Sequence, residues 1–149
     1  MRPSLRNSLR TLGLCALLCT PLSALAENAV PQLPAPPGAE VYFIEPADGA
    51  SVGQTFSVKF GLKGMGVAPA GVDFPATGHH HLLVDVDTLP LPDVPLPATE
   101  KILHFGKGQT ETELSLPPGT HTLQLLVGDK NHVPLDPPVI SSRITITVQ

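Results

Sequence analysis

The chain has 149 residues, a formal net charge of −4, charged side chains at only 15% of positions, 18 prolines and two cysteines. That length suits one domain rather than two. The excess of acids, with no clustered basic stripe, excludes a nucleic-acid surface, which must neutralise phosphates with lysine and arginine.

At the start, Arg2, Arg6 and Arg10 lead into the apolar run LGLCALLC, and Ala24-Leu25-Ala26 fits the small-x-small cleavage rule of a secretory signal. The apolar run is far shorter than the roughly 20 residues of a membrane helix. The expectation is therefore a signal peptide over residues 1–26, export to the periplasm or beyond, and no membrane insertion after cleavage. Cys15 and Cys19 each follow a leucine, where a lipoprotein signal places a small residue, so no lipid anchor is expected. Both cysteines leave with the signal. The remaining 123 residues hold six basic side chains against 13 acidic ones, a net charge of −7, and offer no disulfide or thiolate ligand.

Residues 27–39 contain Pro31, Pro34, Pro36 and Pro37 without a periodic apolar pattern and read as a linker. From Glu40 to Gln149 short apolar alternations are separated by turn residues, the signature of strands. In chain order these are VYFIEP, TFSVKFGL, HHHLLVDVD, KILHF, TETELSL, THTLQLLV and RITITV. Pro90, Pro92, Pro95 and Pro97 exclude regular pairing between the third and fourth. One apolar face per strand implies two sheets packed face to face. The expected fold is all-β, an immunoglobulin-like β-sandwich of about seven antiparallel strands.

All six histidines follow the signal. If successive strands reverse direction, one pole of the sandwich collects His79, His80 and His81, His104, Gln109, Glu111, and the GDKNHVP loop with Asp129 and His132. His121 falls at the other end. Imidazoles and carboxylates are ligands of copper and zinc, and without a thiolate the expected ion is Cu(II) or Zn(II). The candidate ligands are His79, His81, His104, His132 and Asp129. Alternation turns His80 toward the core, and His121 shares a face with Leu123 and Leu125, so both read as packed histidines bonded to backbone carbonyls. Asp85 with Asp87, and Glu111 with Glu113, are carboxylate pairs about 7 Å apart along a strand, read as solvent-facing charge. No nucleophile elbow or phosphate-binding glycine loop is present, and no catalytic activity is expected.

The blocks GHHHLL, HFGKGQTE and LPPGTHTLQL, in this order, resemble a bacterial exported family of unknown function, over nearly everything from about Ile44 to Val148. The resemblance implies a periplasmic β domain with His79, His80, His81, His104, Gln109, His121, Asp129 and His132 at its hallmark positions. A looser, architectural similarity links it to small periplasmic copper-handling sandwiches. Two functions follow as expectations. One is a metal-binding module; the other is a metal-free module recognising a cell-envelope protein or glycan beside the proline-rich stretch.

Overall fold

The computed structural model describes residues 31–149. The expected signal peptide and the first residues of the expected linker lie outside the described residues. The described residues form nine strands: β1 (Glu40–Glu45), β2 (Ser51–Val52), β3 (Thr55–Lys63), β4 (Gly66–Val67), β5 (Thr77–Val84), β6 (Ile102–His104), β7 (Glu111–Ser115), β8 (Gly119–Gly128) and β9 (Ile144–Val148). No helix occurs among the described residues.

The strands form two sheets. The smaller has the order β1-β3-β7; the larger runs β2-β9-β8-β5-β4, with β6 also paired to β5. In the smaller sheet, Val41, Val58, Phe60 and Leu114 face the other layer, where Leu82, Val84, Leu123, Leu125, Ile144 and Ile146 meet them in one core. Each fully buried aliphatic side chain contributes about 1.5–3 kcal/mol, so this interface is the main source of stability.

Two features depart from the expected sandwich. The pairings β2–β9 and β4–β5 are parallel, which a sheet of simply reversing strands would not contain. β2 and β4 are two-residue strands, too short for any period to declare them. More important for function, the larger sheet is covered on both faces. Leu83, Ile102 and Leu126 point away from the main core and pack with Leu96 of the proline-rich stretch in a second cluster. That cover explains why β5 is buried along almost its whole length. The segment expected to lie beside the sandwich instead roofs it.

The described part of the expected linker also docks. Ala35 donates its N–H to the Asp136 carbonyl at 2.8 Å, Asp136 donates to Leu33 at 2.9 Å, and the Gln32 amide reaches the Pro134 carbonyl at 3.0 Å.

Candidate metal centre

On β5 the pleat alternates side chains, so His79, His81 and Leu83 project to the roofed face while His80, Leu82 and Val84 enter the main core. β6 runs antiparallel along one edge of β5 and places His104 directly opposite His81. Directly opposed residues share a face, so a third imidazole joins the first two. β8 runs antiparallel along the other edge, with Gly128 opposite His79 and Leu126 opposite His81. After Gly128 the chain turns back over the sheet, and the turn carries His132 to the same spot.

Four rings therefore meet. The centroids of His79 and His81 are 4.9 Å apart, and His104 lies 5.0 Å from His79 and 5.2 Å from His81. His132 is 4.6 Å from His104, 5.0 Å from His79 and 6.1 Å from His81. His79, His81 and His104 can each offer a nitrogen such that all three atoms lie within 4.8 Å of one another. Nitrogens bound tetrahedrally to one zinc-like ion at about 2.0–2.1 Å would sit about 3.3 Å apart. The three nitrogens thus lie at most about 1.5 Å beyond the spacing of a bound set.

His79 and His81 are completely buried, and both ring nitrogens of each lack a hydrogen-bond partner. Polar groups left so are rare and cost about 1–3 kcal/mol each. Burial, followed by the neighbouring imidazoles, lowers His79 to a pKa of about 4 and His81 to about 3. Both are therefore neutral at physiological pH, with lone pairs available to an ion without proton competition. His104, at the solvent-facing end of β6, is also lowered, by partial burial and by His132.

Room for the rings comes from missing side chains. A Cβ on Gly106 would fall on the His104 ring, and a Cβ on Gly128 would stand 2.8 Å from His81 Cε1 and 3.3 Å from the His132 backbone. These two glycines belong to the site as much as its ligands do. Both stand at the ends of the strands that flank β5: Gly128 closes β8, and Gly106 lies two residues after β6.

Asp129 joins the region in another role. Its Oδ1 accepts the Asn131 N–H at 2.7 Å and the Val133 N–H at 2.9 Å, and its carbonyl accepts the His132 N–H at 2.9 Å. It builds the turn that presents His132, and it is not in the group of three mutually close ligands. Gln109 accepts the Lys107 N–H through its side chain at 2.9 Å. Glu111 and Glu113 pair with Lys59 and Ser57 in the smaller sheet.

The other histidines separate cleanly. His80 packs in the main core 5.2 Å from Phe60, and burial lowers it to a pKa of about 4. The Gln109 backbone offsets that burial slightly, although neither His80 nitrogen reaches a partner in hydrogen-bonding geometry. The carbonyl partner expected for His80 is thus not made. His121, at the far end of the sheet, holds Asp85 Oδ2 through Nδ1 at 2.7 Å and the Pro117 carbonyl through Nε2 at 2.9 Å. Its expected carbonyl bond is present, and a carboxylate is added.

The fold and the four-imidazole cluster define a small all-β domain with a possible metal centre on the roofed face of its larger sheet. The chain belongs to the family described as a domain of unknown function, DUF4399, whose model matches residues 58–149. That span includes all four clustered histidines and both glycines that make room for them. No curated protein matches the chain. Among solved structures, the chain is similar to the endo-β-1,4-mannanase from Thermotoga petrophila, with 20% identity and a TM-score of 0.42, over 74% of this chain and 20% of the mannanase. The chain thus spans about a fifth of that enzyme's length.

Proposed function

We propose that this protein is an exported, non-enzymatic module that binds one Cu(II) or Zn(II) ion through His79, His81 and His104, with His132 beside them. The observation that carries the reading is the set of buried, unpartnered nitrogens on His79 and His81 within a cluster of four imidazoles. An ion would take one nitrogen of each ring, giving a partner to groups that have none among the described residues. The absence of thiolates from the cluster favours Cu(II) or Zn(II) over Cu(I). Export rests on the charge and cleavage pattern of residues 1–26, and implies metal buffering or delivery in the cell envelope.

Chelator-stripped, tag-free protein titrated calorimetrically with each ion is expected to bind about one equivalent with submicromolar affinity, roughly −8 kcal/mol or better. The His79→Ala/His132→Ala double variant is expected to lose that binding. Silence from the intact protein with both ions sinks the reading.

The second reading, a metal-free interaction module, has an observation of its own. A groove of about 240 Å³ lined by Leu89, Pro90, Pro92, Leu126, Pro138 and Ile140 is almost wholly apolar, and Leu91 on the roof is 67% exposed. That chemistry favours an apolar protein segment over a glycan.

A further inference from the structure

The four imidazoles differ in access to solvent. His79 and His81 are fully buried. His104 is exposed at the end of β6, and His132 is half-buried on its turn. The outer rings pack 4.6 Å from each other and rest against the inner ones at about 5–6 Å. An ion arriving from solvent therefore meets the outer pair first.

The outer pair is held ready. His132 has a positive φ of 68°, a backbone state that costs a non-glycine residue energy and persists where its surroundings enforce it. The Asp129 turn enforces it, and the roof adds a bond from the Leu96 N–H to the His132 carbonyl at 2.9 Å. A strap between β4 and β5 ties the two outer turns together. Ala70 donates to the Gly106 carbonyl and Gly71 to the Lys130 carbonyl, each at 2.9 Å, and Asp73 pairs with Lys130 at 2.5 Å. His132 is nonetheless outside the set of three close ligands. Its ring is fixed near the site without being needed to complete the inner group.

We propose that His104 and His132 form an entry pair that captures the ion and passes it to His79 and His81, with His132 the ligand engaged only in transit. This rests on the metal-site reading and extends it: a site loaded through a preorganised outer pair is built to exchange its ion rather than to lock it in for structure. Asp129 is then a positioning residue, acting through His132.

Stopped-flow mixing of the stripped full chain with Cu(II), followed by the visible absorbance of the copper–imidazole complex, tests the order of events. His132→Asn suits the experiment because asparagine tolerates the left-handed backbone and keeps the turn while removing the imidazole. The expected result is an association rate lower by about tenfold or more, with one-equivalent binding and the metal-free melting temperature retained. A ligand engaged only in transit lowers the barrier to binding without contributing to the bound state. Its loss therefore lowers the association and dissociation rates together and leaves the equilibrium affinity unchanged, which marks an entry ligand. His132→Gly, which also tolerates the left-handed backbone while removing the imidazole, is expected to slow association likewise, and carries the test if the first variant misfolds. Association at the wild-type rate in a variant that still binds overturns the entry pair and leaves the metal site standing. Absence of binding by the unaltered protein overturns both.

Discussion

At the scale of single residues, the inner imidazoles oppose the fold that holds them. Each lone buried nitrogen forfeits its bond to water, and an apolar group of similar size would not. His81→Leu is therefore expected to stabilise the metal-free protein by about 1–3 kcal/mol in chemical denaturation while abolishing calorimetric metal binding. A destabilised His81→Leu protein would mean that the ring has a structural duty. Much of this residue pattern was legible in the sequence. Alternation along HHHLL places His79 and His81 on one face and His80 on the other. Gly106 and Gly128 were not legible as parts of the site, because a glycine announces no contact until the ring that needs its space is located. Asp129 was legible as a member of the loop and not as its builder, since turn bonds and ligand bonds draw on the same carboxylate.

At the scale of strands, the end of β5 is fastened to the start of β8 by His121. One ring nitrogen faces a carboxylate and the other a carbonyl, so both act as donors and the ring is an imidazolium in this arrangement. The hydrogen bond to Asp85 is the main cause that raises His121 above its usual 6.5. Because the folded value is raised, the fastening contributes fully below about pH 6.5 and fades as pH climbs through the raised value. His121→Ala is expected to cost about 0.5–1 kcal/mol at mildly acidic pH, discounted for the exposure of Asp85, with thermal melts converging on wild type in alkaline buffer. A constant gap across that range would assign His121 to packing alone. The strand ends that meet here were visible in the sequence, because β5 lies antiparallel to both β6 and β8 as reversal of direction requires. The roof was not. Prolines rule out regular pairing without saying which surface the segment covers, and only Leu96 packed against Leu83 settles that.

For the whole molecule, acid and metal act on stability in opposite directions. The histidines of an unfolded chain take up protons near pH 6.5, whereas in the fold His79 and His80 hold out to about 4 and His81 to about 3. With folded values depressed, stability is intact above about pH 6.5 and drains as pH falls, on the order of 1 kcal/mol per pH unit for each of the three. A ligand bound only by the native state adds about 2.7 kcal/mol at a hundredfold excess over its Kd. Melting temperatures are expected to fall steeply from pH 6.5 to 4 without metal, and to rise at neutral pH on adding Cu(II) or Zn(II). A flat acid profile would contradict the buried neutral state of the imidazoles. The two-layer β architecture at this scale followed from apolar alternation alone. The order of strands did not, because a period of two says which face is buried and nothing about which neighbour lies alongside.

The roof separates the ligands of the bound ion along the chain: His79 and His81 precede it, and His104 follows it. An ion held by these three would, while bound, rivet the two halves of the chain across the proline-rich stretch, closing a loop that a severed backbone could no longer close by itself. A protease cut between Val86 and Lys101 would then leave two fragments, one bearing two of the ligating imidazoles and the other the third, still clasped by one metal atom as well as by their strands. Departure of the ion would loosen that clasp, so a nicked domain would hold together in step with its metal occupancy.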